Sequence, residues 1–270
     1  MKILITGSNG YLGQAIYKYL YKYHTLVLIN RTICDLTDTS CVESIFNEHG
    51  FFDCVIHSAA VGGSRLKTDT VKVISDNLTI FYNLYRYKHK FNKLISFGSG
   101  AELSATHSPY GFSKKIISNI ILDTNNFFNL RIFGVFDEDE IETRFIKSNL
   151  DRYLNKKNLI IHSNKQMDFI YMLDLIQIIN LFITNNNMPK ELDCVYKDKY
   201  WLSDIANFIN QLNDTKVDII INEKKHDSPY IGNYYDLGIQ QIGLFDGIKL
   251  TFKKIQERFY EKSMVCTKSI

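Results

Sequence analysis

Short apolar runs alternate with longer amphipathic stretches over the first half of the chain. The runs are KILIT (2–6), TLVLIN (25–30), DCVIHSA (53–59), KLISFG (93–98) and FNLRIF (128–133). They are near-continuous in apolar character, which marks strands buried on both faces. Helical spacing fills 11–22, 39–49, 71–90 and 109–123 between them. Strand–helix alternation of this kind predicts an α/β fold, a doubly wound parallel sheet of Rossmann type with helices on both faces. After about residue 135 the rhythm changes. Helical stretches at 141–155, 171–184 and 201–213 are separated by short strands at 158–162, 192–196 and 217–221, and TNNNMPK (184–190) reads as a surface turn. The expected division is a main domain over 1–135, to which parts of 136–190 return, and a smaller mixed α/β region over 136–270 at the C-terminal edge of the sheet. The two are expected to fold as one cooperative unit.

Composition narrows the class. At 270 residues and 45% hydrophobic content, the chain suffices for one large core with a small annex. The net charge of +3 carries no nucleic-acid signature, and the basic cluster RYKHKFNK (86–93) falls at an expected helix end, where cations meet the helix dipole. The five cysteines (Cys34, Cys41, Cys54, Cys194, Cys266) include no CxxC and are odd in number. They read as reduced thiols, with no disulfide frame and no metal site. MKILITG is already a strand pattern, so no signal peptide is expected. No apolar run is long enough to span a membrane. A cytoplasmic location follows as the expectation.

Two motifs bear chemistry. GSNGYLG (7–13) follows a strand and opens a helix. In that context one glycine permits a sharp reversal, a second lets backbone approach a pyrophosphate, and a third lets helix and sheet pack closely. The helix N-terminus then offers N–H groups to phosphate. The second motif is SPYGFSK (108–114). Ser108 suits an N-cap and Pro109 the first helical position. Tyr110 and Lys114 then lie one turn apart on one face. On spacing alone the pair is either ordinary helix surface or a chemical one, in which a lysine ammonium beside the phenol would stabilise the phenolate and make the tyrosine a proton donor near neutral pH.

The spacing Gly7-x-x-Gly10-x-x-Gly13 resembles the extended short-chain dehydrogenase/reductase family (the NAD-dependent epimerase/dehydratase family), in its nucleotide-sugar branch. The resemblance covers about residues 1–185 and thins out beyond. Its motifs occur in order. The whole turn, with Ser8, Asn9, Tyr11 and Leu12 between the glycines, matches the phosphate-binding segment. Asp35-Leu36 sits where the family frames the adenine. HSAAVGG (57–63), with Ser58, Ala59 and Ala60, resembles its HxAA motif beside the phosphates and the nicotinamide ribose. Asn77 matches a structural asparagine, SFGSGAE (96–102) the catalytic serine segment with Ser99, and Tyr110-x-x-x-Lys114 the catalytic pair. MDFIYMLDL (167–175) resembles a DF-x-Y-x-x-D segment near the substrate nucleotide. The resemblance implies a fold with a smaller C-terminal substrate-binding region, a nicotinamide cofactor held partly by Tyr110 and Lys114, and a homodimer through two helices per subunit. Phe81, Tyr82, Tyr85 and Ile117 or Ile121 would either form that seam or face the sheet.

The cofactor expectation rests on the end of the second strand, LVLINRT. It carries Asn30-Arg31 where a carboxylate would bind a ribose 2′-hydroxyl. A guanidinium suits a 2′-phosphate, so NADP(H) is expected, with Ser8 and Arg31 near that phosphate. Ser99 would hydrogen-bond a ketone oxygen as charge builds on it. The absent groups are as informative. Sugar dehydratases of the family place Asp and Glu directly after the catalytic hydroxyl residue. Here Gly100 and Ala101 follow, and Glu102 comes one place late, on the opposite face of an extended strand. The resemblance is strongest to the GDP-fucose synthase branch. Its epimerisation cysteine is replaced by Ala101, and ETRFIKS (142–148) lacks the histidine. His162 reads as structural. What remains is an NADPH-dependent C4 keto-reductase of a nucleotide-linked 4-keto-6-deoxy sugar, without dehydratase or 3,5-epimerase activity, with GDP the nucleotide that the resemblance implies. Substrate contacts are expected from Val61, Gly62, Gly100, Ala101, Phe133, Arg144 and Tyr171. Arg144 would meet a phosphate or a surface ion pair, Asp174 would bind or merely orient a helix, and Tyr196 and Trp201 would flank a base or fill the core. The alternatives are an NAD-dependent nucleotide-sugar 4-epimerase or C4 dehydrogenase, and a non-catalytic NADP-binding regulator.

Overall fold

The computed structural model describes residues 1–64, 66–223 and 227–267, with backbone alone from 262. In chain order the elements are β1 (Lys2–Thr6), α1 (Tyr11–Leu20), β2 (Thr25–Ile29), α2 (Thr39–His49), β3 (Phe52–His57), α3 (Lys72–Tyr85), β4 (Phe91–Ser99), α4 (Ala101–Ser104), α5 (Pro109–Leu122), β5 (Phe127–Ile132), β6 (Val135–Phe136), α6 (Phe145–Leu154), β7 (Leu159–Ser163), β8 (Ile170–Tyr171), α7 (Met172–Thr184), β9 (Glu191–Asp193), α8 (Leu202–Ile209), β10 (Ile219–Glu223) and α9 (Leu244–Thr267). The chain forms two compact units, Met1–Ile132 with Ile176–Cys194, and Phe133–Leu175 with Val195–Ile270.

The first unit holds a six-stranded sheet in the order β2-β1-β3-β4-β5-β9, parallel at every pairing. This is the doubly wound α/β arrangement expected from the apolar runs. The winding reverses between β1 and β3, so the loops after these two strands lie side by side. In open α/β sheets that switch point is where ligands bind. The reason for continuous apolar strands is visible in β4, where Leu94 and Ile95 are fully buried, as Ile3 and Ile5 are in β1. One core cluster joins Val42 and Phe46 of α2, Ile80, Phe81 and Leu84 of α3, and Ile117 and Ile121 of α5 to strand residues including Leu4, Val55 and Leu94. Phe81, Ile117 and Ile121 are therefore core residues and not seam residues. Of the aromatic positions named for a seam, Tyr82 is exposed and Tyr85 half-buried.

Lys93 corrects the reading of the basic cluster. α3 ends at Tyr85, and Lys93 is buried in β4. Its amine donates to the carbonyls of Phe182 (2.9 Å), Ile183 (3.1 Å) and Asn185 (2.9 Å). It thus closes the C-terminal end of α7 with a charge of the sign that the helix dipole favours. Lys93→Met keeps the stem and removes all three bonds. It is expected to lower stability by about 2–3 kcal/mol, read as a reduced urea midpoint at unchanged m-value.

The cysteine expectation needs one correction. Cys34 and Cys41 are joined, with Cα atoms 5.7 Å apart. The turn after β2 folds back on the start of α2, and a seven-residue separation does not announce that. Cys54 and Cys194 are buried free thiols, the Cys54 thiol pushed up to about 12 by burial. The Cys266 side chain lies outside the described residues.

The second unit contains two small parallel pairs, β7 with β10 and β6 with β8. Its core gathers Phe136, Ile146, Leu150, Leu159, Ile161, Ile205 and Ile209, all fully buried. α9 has no counterpart in the sequence-based expectations, although Leu244, Ile248, Phe252 and Ile255 are buried on it at helical spacing. Asp174, fully buried, accepts from Tyr196 Oη (2.5 Å) and from the N–H groups of Ile242 (2.8 Å) and Gly243 (3.0 Å). It anchors the segment leading into α9, which settles its role as an orienting carboxylate. Among the described residues no helix is long and apolar enough to cross a membrane.

Candidate active site

The turn after β1 is built as the glycine pattern requires. Gly7 has φ +68°, and a Cβ there would lie 2.7 Å from the backbone nitrogen of Ala59. The loops after β1 and β3 thus touch backbone to backbone. Gly10 N–H donates to Gly7 O at 2.9 Å, and a Cβ on Gly13 would strike the Gly7 carbonyl. Gly10 is also the N-cap of α1, with no side-chain cap on the first turn. A helix start of this kind, without a side-chain cap, turns its dipole and backbone N–H groups toward an anion. Tyr11 and Leu12 are half-buried and Asn9 exposed. These features fit a dinucleotide: a Cβ-free turn, an uncapped helix start, and the sheet's switch point beside both.

The HSAA segment braces this turn. His57 is buried, its Nδ1 2.9 Å from Thr6 Oγ1, and burial lowers its pKa to about 3, with the Lys114 charge adding to the effect. It is a neutral structural group. Ser58 Oγ donates to Thr6 O at 2.5 Å, Ala59 N–H reaches Thr6 Oγ1 at 3.3 Å, and Ala60 is exposed. Asn77 is buried. It accepts from Val61 N–H (2.8 Å) and donates to Val61 O (2.9 Å) and Ser113 Oγ (3.0 Å), so it fixes the loop and α5 to each other.

At the end of β2, Arg31 is exposed with no carboxylate beside it in sequence. Asn30 holds the turn through Oδ1, which accepts from Thr32 N–H (2.9 Å) and Ile33 N–H (3.1 Å). Asp35 accepts from Thr37 N–H and Oγ1, and these bonds, foremost the backbone one, hold its carboxyl below the usual range. The Leu36 side chain is core, and its carbonyl accepts from Asn83 Nδ2 at 2.9 Å. The Ser8 side chain is buried and its N–H donates to Ile29 O at 3.0 Å, which joins the turn to β2.

Ser99, Tyr110 and Lys114 come from two neighbouring places, the end of β4 and the first turns of α5. Ser108 caps α5 by accepting from Gly111 N–H at 3.1 Å, and Pro109 opens the helix as expected. A Cβ on Gly111 would strike the carbonyls of Ala101 and Ala105, so this glycine lets α5 press against α4. Lys114 is buried. Its amine donates to Phe97 O at 2.7 Å and stands 5.7 Å from the centre of the Tyr110 ring. Burial lowers its pKa to about 8, against an opposing pull from the Glu102 charge. Ser99 Oγ accepts from Ala101 N–H at 3.2 Å, which fixes the hydroxyl at the strand end. Gly100, buried, donates to Ile132 O at 3.0 Å, and Ala101 begins α4. The segment after Ser99 is thus a helical turn and not extended strand. Glu102 is buried by that turn on Arg131, so it is withdrawn for a different reason than strand alternation.

Sequence reasoning missed Gly63 and Asp69. Gly62 (φ +85°) and Gly63 (φ +71°) both need left-handed backbone. Gly63 N–H donates to the Asp69 carboxylate at 3.1 and 3.2 Å. A Cβ on Gly63 would lie 3.0 Å from two carbons of the Tyr110 ring. The loop is therefore a wall for the tyrosine, and the paired glycines of VGG were its only signal. Gly63→Ala is expected to lower kcat about 10–100-fold by displacing the phenol, with cofactor affinity retained, as measured by parallel kinetics and cofactor titration.

In the second unit, Arg144 is the half-buried N-cap of α6, not a residue inside the helix, and makes no ion pair among the described residues. Phe133 is buried, its ring 5.2 Å from that of Tyr230. Tyr171 is also corrected. It is 1% exposed and packs on Phe136 and Gly247, so it has no face for a substrate. Tyr196 is core, bonded to Asp174 and to Tyr171 N–H. Trp201 is half-buried at the start of α8, and its N–H donates to Asp204. His162 is exposed on β7.

The fold and the site define a Rossmann-type dinucleotide enzyme. The profile of the NAD dependent epimerase/dehydratase family matches residues 3–194, and the chain belongs to that family. It is 22% identical over 248 residues to CDP-abequose synthase of Yersinia pseudotuberculosis, covering 81% of this chain and 87% of that one. Among solved structures it resembles a GDP-mannoheptose C4 reductase from Campylobacter jejuni with NADP bound (20% identity, TM-score 0.75, 93% of this chain and 97% of the other). It also resembles a UDP-glucose 4-epimerase from Thermotoga maritima (16% identity, TM-score 0.78, 96% and 100%).

Proposed function

We propose that the protein is an NADPH-dependent C4 keto-reductase of a nucleotide-linked 4-keto-6-deoxy sugar, with GDP as the nucleotide. The observation that carries this reading is Lys114, a buried ammonium one helical turn from Tyr110 with Ser99 at the adjoining strand end. The Gly7–Gly13 turn would hold NADPH, with Arg31 for its 2′-phosphate, and the cofactor would supply the hydride. Ser99 donates a hydrogen bond to the ketone oxygen. Tyr110 gives that oxygen its proton, and Lys114 stabilises the phenolate that remains. Val61, Gly62, Gly100 and Ala101 are assigned to the sugar end and Arg144 to a phosphate of the nucleotide.

Elimination and epimerisation both need further acid–base groups. The positions that would supply them hold Gly100 and Ala101, and Glu102 is engaged with Arg131. The fold likeness to a C4 reductase with NADP bound is in keeping with this reading. A second reading, an NAD-dependent 4-epimerase, has the likeness to UDP-glucose 4-epimerase in its favour. Arg31 speaks against it, because a 4-epimerase has no use for a 2′-phosphate site. A homodimer and a cytoplasmic setting complete the proposal.

The test is NADPH oxidation with an enzymically prepared GDP-4-keto-6-deoxy-mannose in deuterated water. Oxidation with no deuterium at C3 or C5 is the expected result. Deuterium at those carbons would show an epimerising enzyme. Tightly held NAD in the purified protein, with no NADPH oxidation, would favour the 4-epimerase.

A further inference from the structure

Glu102 is a nearly inaccessible acid beside the catalytic set that the proposed chemistry does not use. It is 1% exposed. Its Oε1 accepts from Arg131 Nε at 2.5 Å and Asn129 Nδ2 at 2.9 Å, and its Oε2 from Ser99 N–H at 3.3 Å. Arg131 also pairs with Glu191 (2.8 Å) and with Asp193. One guanidinium therefore serves three carboxylates, two of them almost fully buried. A buried cluster with excess negative charge is costly unless another cation stands near.

Lys114 is that cation. It reaches Phe97 O while Glu102 reaches Ser99 N–H, so both charged groups close on the same three-residue end of β4. The residue between is Gly98. A Cβ there would lie 2.6 Å from Asn129 Oδ1 and 2.8 Å from Glu102 Oε2. The glycine is needed because the buried carboxylate and its amide partner fill that space. Lys114 is faced by Glu102 from α4, by the neutral His57 from β3, by the Phe97 carbonyl from β4 and by Tyr110 on its own helix. Glu102 is the only carboxylate in that set. Its own partners are Arg131 and Asn129 from β5, with Glu191 and Asp193 of β9 beyond the guanidinium.

We propose that Glu102 is a positioning residue: it fixes the Ser99 end of β4 and supplies the negative charge that the buried Lys114 ammonium faces. This rests on reading Ser99, Tyr110 and Lys114 as the reduction apparatus. Removing the charge while keeping the shape leaves Lys114 buried without its counter-charge, so it gives up its proton at lower pH. Lys114 is then neutral over part of the working range, and the phenolate loses its stabilising cation there.

The test compares Glu102→Gln and Glu102→Asp. Lysine side-chain NMR on the cofactor-free protein, with Lys114 assigned through Lys114→Arg, gives the pH at which the amine loses its proton. Glu102→Gln is expected to lower that midpoint by about one pH unit and to move the alkaline limb of the pH–kcat profile down with it. Glu102→Asp keeps the charge and is expected to hold the midpoint near that of the parent protein while kcat falls, because the reach to Ser99 N–H is lost. An unmoved midpoint in Glu102→Gln overturns the proposal, whatever happens to kcat or stability. Should Glu102→Gln fail to fold, Glu102→Met removes the same charge at similar length; the same downward shift is then expected, and no shift is equally fatal. The NMR titration needs neither substrate nor cofactor, so it stands even if the sugar assignment fails.

Discussion

Tyr110→Phe is expected to slow NADPH-linked ketone reduction about 1,000-fold while leaving cofactor affinity almost unchanged. A positioned general acid is worth roughly 10²–10⁴ in rate, and the phenol is the group proposed for that role. The substitution removes one oxygen and keeps the ring. The ring packs against Gly63 and lies within reach of the Lys114 amine, and both contacts involve carbon atoms. The wall and the helix therefore persist, and cofactor titration separates a lost proton donor from a lost fold. The pH dependence carries a second sign. Burial holds the Lys114 pKa near about 8. Below that value the ammonium is present and the parent rate is expected to be flat. Above it the amine turns neutral and the rate falls. In Tyr110→Phe the small residual rate should lose this alkaline limb, since no phenolate remains to be stabilised. A residual rate above about one-tenth of the parent value would place the proton donor elsewhere.

The parts of this site that were legible in the sequence are those whose cause is local. Ser108 and Pro109 define a helix start by their own chemistry, and Tyr110 and Lys114 follow from it by helical geometry. The five apolar runs read directly as sheet strands because burial on both faces keeps them almost continuously apolar. Other features depend on contacts that no window of sequence contains. Gly63 matters because Tyr110, far along the chain, lies against it. Gly98 matters because Asn129 and Glu102 occupy the space of its missing side chain. Lys93 read as part of a basic surface cluster and proves to be a buried cap on a helix that begins nearly eighty residues later. Tyr171 sat in a recognisable motif, yet the motif places it in the core, where a tyrosine packs on Gly247.

The same distinction sets the second large effect. Gly7→Ala is expected to weaken binding of the proposed NADPH cofactor at least 100-fold. Two costs act at this position and they are separable. The first is the left-handed backbone, φ +68°, worth about 1–2 kcal/mol for a residue with a Cβ. The second is the approach of the Ala59 backbone to 2.7 Å from the new Cβ. Backbone in the middle of a packed loop cannot step aside as a side-chain tip can. The strand-end loops must separate, and with them the turn that presents N–H groups to the phosphates. Gly50→Ala is the control, because Gly50 also has a positive φ (+67°), with nothing within 4 Å of its Cβ position. It should lower stability by about 1–2 kcal/mol and leave NADPH affinity intact. Calorimetric titration of both variants, with thermal denaturation alongside, reads the two costs independently. Equal affinity in the two variants would mean that strain alone matters and that the contact between the β1 and β3 loops does not shape the cofactor cradle. A selective loss in Gly7→Ala ties cofactor binding to the switch point of the sheet, where the two loops meet.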